Sequence, residues 1–173
     1  MNTIKVEIDK SEHGTIDFPN YRIDNFWLDE KLEELYPDNF LGGTIPTLLF
    51  VMEIPTEKEV VKKRILPSVK ETTICPILMC PDDRDFSCTL IVAEIENCGD
   101  IVKWKKIGLD KTTDFDAEKV GSKVEWFDKI SGFEFSRFEY EQMLCEFNTH
   151  YEIEKSIWEK RNADFKKKLM TRK

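Results

Sequence analysis

Histidine is scarce in this chain, and so is any sign of a reactive centre. His13 and His150 are the only imidazoles. The first falls in a polar turn and the second on the outer side of an expected helix, and neither belongs to a recognisable nucleophile–base signature. No Gly-x-Ser-x-Gly elbow occurs. Leu41-Gly42-Gly43 is not followed by Gly-Lys-Ser/Thr, so the pair serves backbone freedom or close packing rather than a phosphate loop. Positive charge is also in deficit: 26 Lys and Arg against 34 Asp and Glu give −8. That balance argues against nucleic acid or an anionic membrane as partner. No apolar run approaches the ~20 residues of a membrane span. Met1 to Val6 has no signal-peptide core and reads as a strand, which leads to the expectation of a cytoplasmic protein. Internal repeats and flexible linkers are lacking too, and one domain over residues 1–173 is expected, with a basic end at 164–173 that should fray.

What the chain does have is apolar content arranged as strands. Hydrophobic residues make up 40% and phenylalanine occurs twelve times, enough for a domain of this length to bury roughly 70% of its unfolded surface. Three consecutive strands are expected at 72–80, 88–96 and 101–107. Thr72 to Cys80 is almost wholly apolar, as in a strand covered on both faces. Pro81 to Asp85 breaks it, and Cys88 to Glu96 follows, rich in β-branched residues. Asn97-Cys98-Gly99-Asp100 is a turn, and Ile101 to Ile107 runs back from it.

Around this meander the expected elements are shorter. Ile4, Val6 and Ile8 alternate with charged residues, and Thr15 to Phe18 is expected to return as a partner strand ended by Pro19-Asn20. Asp29 to Tyr36 reads as a helix stopped by Pro37, and Thr47 to Glu53 as an apolar strand. Thr56-Glu57-Lys58-Glu59 and Ser136-Arg137-Phe138-Glu139 both fit a capping box. The first opens a helix to about Leu66. The second opens a C-terminal helix, continuous or broken near Asn148-Thr149, whose apolar side from Phe138 to Trp158 should pack on the body. The fold class is therefore α+β: an antiparallel sheet with a central meander, flanked by short helices and a long C-terminal helix.

Two features could carry chemistry. Cys75, Cys80, Cys88 and Cys98 are separated by four, seven and nine residues, unlike the paired two-to-four-residue spacing of structural zinc sites. Reduced, metal-free thiols and no cofactor are the expectation, with Cys80 and Cys88 flanking one turn closely enough for a redox-sensitive disulfide as the alternative. The second feature is geometric. In an antiparallel meander, alternate connections emerge at the same end of the sheet. The turn carrying Asp82, Asp83 and Asp85 must therefore neighbour the loop carrying Asp110, Asp114, Asp116 and Glu118. Seven acids against Arg84, Lys111 and Lys119 suit docking of a basic partner better than a calcium loop, which needs a glycine and a downstream glutamate.

Ile77-Leu78-Met79-Cys80, the Cys88-led strand, Val102-Lys103-Trp104 and Phe133-Glu134-Phe135 followed by Tyr140 resemble a poorly characterised family of small bacterial proteins. The likeness covers roughly residues 40–148, with Leu41-Gly42-Gly43 matching an upstream Gly-Gly element. It implies a fold and no activity. Pro81 to Ser87 departs from the pattern, lacking the extra Cys and the glycines of the family's turn. In general character the chain is similar to toxin-immunity proteins: small, acidic, α+β and without catalytic motifs. That likeness implies a non-enzymatic protein that neutralises a basic, nuclease-like toxin domain. An enzyme with a dispersed active site, or a regulatory binding module with another partner, fits the same composition.

Overall fold

In the computed structural model, which describes residues 1–10, 17–52, 54–114 and 116–170, two antiparallel sheets share one hydrophobic core. The smaller is built from β1 (Ile4–Lys10), β2 (Asp17–Ile23) and β3 (Phe26–Trp27). Helix α1 (Leu28–Leu35), the short β4 (Ile45–Pro46) and helix α2 (Pro55–Arg64) follow. The larger sheet adds β5 (Thr72–Met79), β6 (Leu90–Asn97), β7 (Ile101–Asp110), β8 (Val124–Trp126) and β9 (Phe133–Ser136). One continuous helix, α3 (Arg137–Met170), ends the described chain. The class is α+β, with the expected meander at its centre.

Strand β5 pairs with β6 from Thr72↔Glu96 to Met79↔Leu90, and β6 with β7 from Ile91↔Leu109 to Asn97↔Val102. Each ladder has one irregularity. The first is a bulge between Pro76 and Leu78, where a proline that cannot donate a hydrogen bond is tolerated. The outer edge of β7 is covered by two strands end to end: β9 along Ile101–Trp104 and β8 along Gly108–Asp110. Gly108 is required there, because a Cβ at this position would sit 2.6 Å from the Glu125 carbonyl oxygen. The two sheets meet through Asn2, whose amide donates to the Glu134 carbonyl at 2.7 Å.

The core is centred on Trp104, which is fully buried and edge-on to Tyr21 (5.6 Å between ring centres), Phe135 (5.5 Å) and Tyr140 (6.3 Å). Helix α3 closes it with Tyr140, Met143 and Phe147, a spacing of three and four residues that keeps them on one side. Ser136 caps the helix as its sequence predicts: its hydroxyl accepts from the Glu139 amide (3.2 Å) and donates to the Glu139 carboxylate (3.0 Å). Phe138 lies two residues out of phase with Tyr140 and is 77% exposed, so the buried side begins at Tyr140 rather than Phe138. From Glu152 to Lys167 no residue is buried, and Trp158 is half-exposed.

Three local expectations are corrected. Thr47 to Met52 forms consecutive turns, not a strand: Leu49 and Met52 donate back to Pro46 and Leu49. The Thr47 amide and hydroxyl bond to the Ile77 and Pro76 carbonyls, which ends the β4–β5 pairing and turns the apolar run inward. Glu53 lies outside the described residues. Strand β2 continues through Pro19-Asn20, because β3 covers β2 only at Arg22 and Ile23 and leaves the other edge free at Pro19. Thr15, Ile16 and His13 lie outside the described residues. Finally, Pro55 starts α2 one residue before Thr56, so no side chain caps that helix and Thr56 stands inside its first turn.

Candidate docking cleft and thiol cluster

The Gly42-Gly43 loop has a structural use. Glu33 accepts from the amides of Leu41 (2.6 Å) and Gly42 (3.0 Å), and Asp29 from that of Gly43 (3.0 Å), whose φ of 79° suits glycine. Burial pushes the Asp29 carboxyl up, and hydrogen bonds from Asn20 and Gly43 counteract this. Asp29 and Glu33 thus hold this loop, with Asn20 as a further donor to Asp29, whereas a cleft opens at the end of the meander.

There the β5–β6 and β7–β8 connections line one cleft of about 550 Å³, as their place in the meander requires. Asp85, Phe86 and Ser87 come from the first connection. Asp110, Thr112, Asp114, Asp116 and Val120 come from the second. The first turn of α2 contributes Ile54 and Glu57. Four of the seven acids singled out in the sequence are thus brought together: Asp85, Asp110, Asp114 and Asp116. The other three are not among the lining residues. Asp82 is exposed on the turn, Asp83 faces the thiols described below, and Glu118 pairs with Arg64 at 3.1 Å and Lys63 at 3.8 Å.

Each cleft acid also shapes its own loop. Asp85 accepts from the Ser87 amide (2.8 Å) and hydroxyl. Asp110 accepts from the Thr112 hydroxyl (2.8 Å) and the Gly121 amide (3.0 Å). Asp114 and Asp116 accept from the amides two residues on, of Asp116 and Glu118, both at 3.0 Å. Arg64, at the end of α2, fastens the second loop by donating to the carbonyls of Val120 (2.9 Å), Glu118 (2.8 Å) and Ile74 (3.3 Å). The walls are therefore held by hydrogen bonds and an ion pair, and their carboxylates keep further lone pairs for an incoming donor.

Glu57 is the member that sequence reasoning missed. In the sequence it is an intervening residue of the Thr56–Glu59 capping pattern; in the structure the helix starts at Pro55 and the Glu57 carboxylate accepts the Phe86 amide at 3.1 Å. The side chain is buried, and burial pushes its carboxyl up from 4.5 to about 6. The Phe86 hydrogen bond works against that rise, while the charge of Asp85 adds to it. In the sequence only the Pro-Thr-Glu order, with proline setting the helix start, points to Glu57 in the first turn.

The second cluster sits on the same connection. The backbone pair Cys80 N–H to Thr89 carbonyl (2.9 Å) closes the mouth of the turn, and Arg84 turns it with φ 56° while donating its amide to the Cys80 carbonyl. As a result the Cys80 and Cys88 sulfurs and a carboxylate oxygen of Asp83 all lie within 4.8 Å of one another. Burial, joined by hydrogen bonds with Cys80 and Asp83, pushes the Cys88 thiol up. Cys75 is buried apart from them, with its sulfur against the Val61 and Pro76 carbonyls; Cys98 and Cys145 are exposed elsewhere. No described helix is long and apolar enough to cross a membrane.

No family model, curated protein or solved structure matches the chain.

Proposed function

We propose that the chain is a non-catalytic binding protein that docks a lysine- or arginine-bearing protein surface in the acidic cleft. One observation carries this reading. Five carboxylates, Glu57, Asp85, Asp110, Asp114 and Asp116, line the cleft, and no lysine or arginine is among its described lining residues. A cationic side chain entering it finds carboxylate acceptors from α2 and from both connections, able to form charge-assisted hydrogen bonds. The −8 net charge of the chain would steer such a partner from a distance. A basic, nuclease-like toxin domain is the partner that these features fit best, with the chain acting as its immunity protein. The absence of any nucleophile–base motif in the sequence supports a blocking role over a chemical one.

The test uses the whole chain as bait in an extract of its source cells, followed by kinetics with the captured protein. Asp85→Asn, Asp114→Asn and Asp116→Asn together remove charge while leaving oxygen acceptors for the loop hydrogen bonds. Association should slow by about tenfold or more at low ionic strength and lose most of its salt dependence. Asp82→Asn, outside the cleft, should change little. A partner that is not basic, or one that binds the triple variant as it binds the wild type, overturns the proposed docking site. Turnover of a small molecule by the purified chain overturns the non-catalytic reading.

A further inference from the structure

We propose that Cys80, Asp83 and Cys88 form a metal site for a thiophilic divalent cation, zinc(II) by donor type, with a fourth position open to water or to a partner's ligand. The inference does not depend on the docking reading. Its basis is convergence: two sulfurs and a carboxylate oxygen lie within 4.8 Å of one another, a span that one tetrahedral ion can bridge with small side-chain adjustments. Two thiolates with one oxygen donor select a borderline-soft metal over magnesium or calcium. Binding displaces both thiol protons to solvent, so two thiolates and one carboxylate face a +2 ion, and no oxidant or other co-reactant is involved.

The spacing rule that argued against zinc counts residues along a single knuckle. Here the seven residues between Cys80 and Cys88 form the connection of an antiparallel pair, and the Cys80–Thr89 hydrogen bond returns the chain to its starting point. The scaffold is local and already tied. Arg84 donates its amide to the Cys80 carbonyl and its guanidinium to that of Pro81 (3.2 Å), while Asp85 holds the Ser87 amide. Cys80 is half-buried, and Cys88 and Asp83 are exposed, so one side of the ion would face out of the protein. That is the arrangement of a site with an exchangeable position rather than a closed structural one. A bound ion would also cross-link the two ends of the connection that supplies Asp85, Phe86 and Ser87 to the cleft.

The probe is cobalt(II), added to the full chain after chelator treatment under reductant. One equivalent should produce thiolate-to-cobalt charge-transfer absorption and the visible bands of a tetrahedral ion, and zinc should displace it. Cys88→Ser, at an exposed position, should abolish the charge-transfer band while circular dichroism stays unchanged; Cys80→Ser should do the same. Asp83→Asn should keep a thiolate band but weaken binding by at least the ~10–100-fold typical of lost supporting ligands. Cys98→Ser and Cys145→Ser should alter nothing. Absence of the band in the reduced wild type overturns the site. So does its persistence in either cysteine variant, or wild-type affinity in Asp83→Asn.

Discussion

Two buried tyrosine hydroxyls occupy opposite situations. That of Tyr140 accepts the Trp104 indole N–H at 3.0 Å and donates to the Ile65 carbonyl at 2.9 Å, joining α3, β7 and the end of α2. Tyr21 is fully buried and its hydroxyl has no partner among the described residues. An unpaired buried polar group costs ~1–3 kcal/mol, and removing a bonded one strands its partners. Tyr140→Phe is therefore expected to lower stability by ~1–3 kcal/mol or more, since two groups lose their partner. Tyr21→Phe should leave it unchanged or raise it by ~1 kcal/mol. Denaturant midpoints of the two variants, measured together, check this contrast; equal losses would refute it.

Glu57 supplies a second prediction at this scale. Its folded-state carboxyl is raised from 4.5 to about 6, so between these values the folded chain holds more of its proton than the unfolded chain does. Stability therefore falls as pH rises through that window, by ~2 kcal/mol, and the penalty is constant above it. Glu57→Gln keeps an oxygen for the Phe86 amide and carries no charge. It should match wild type below pH 4.5 and exceed it above pH 6. Unfolding measured across that range tests the sign. A gain that shrinks as pH rises would mean that the ionised carboxylate is the stabilising form.

At the scale of elements, α3 divides into a buried first half and an exposed second half. Its 34 residues span about 50 Å. Phe147 is 1% exposed and edge-on to Tyr21 with ring centres 5.0 Å apart, whereas Trp158 is 55% exposed and meets one described ring, that of Phe50. Phe147→Ala should cost ~3–5 kcal/mol, the loss expected of a large aromatic leaving a cavity. Trp158→Ala should cost far less. Ser136→Ala removes a cap whose two hydrogen bonds are in place and should cost ~0.5–2 kcal/mol. Thermal or urea unfolding of the three variants ranks them; a Trp158 loss equal to that of Phe147 would show that the second half of the helix is docked.

Across the whole molecule, Arg64 connects the helix, the sheet and the cleft. It is largely buried and donates to carbonyls on β5 and on the β7–β8 loop, beside its pairing with Glu118. Arg64→Met keeps much of the packing volume and removes every donor. A loss of ~1.5–3 kcal/mol is expected, the range for hydrogen bonds to a charged group. The amides of Val120, Gly121 and Ser122, which close the loop on itself, should also exchange faster than those of β6. Unchanged exchange there would place the loop's order in its own aspartates. The cleft should then keep its shape without Arg64.

The meander, the α+β class, the Ser136 cap and the shared end of the two acidic loops were all legible in the sequence. These depend on short-range patterns: β-branched runs, turn residues, a four-residue cap and the parity of antiparallel connections. Tertiary structure decided the rest. Thr47 to Met52 is as apolar as a strand, but its pairing with β5 stops where Thr47 bonds to the Ile77 and Pro76 carbonyls and the run turns inward. Nothing in the local pattern assigns Glu57 a partner; the Phe86 amide across the cleft supplies it. Of seven predicted acids, four line the cleft, because Arg64 and Lys63 pair with Glu118 and the turn carries Asp82 and Asp83 aside. Cys80 and Cys88, distant by the usual count, meet because a strand pair closes behind them. Local pattern selects the elements, while the competition for a limited number of partners across the fold selects where each side chain goes.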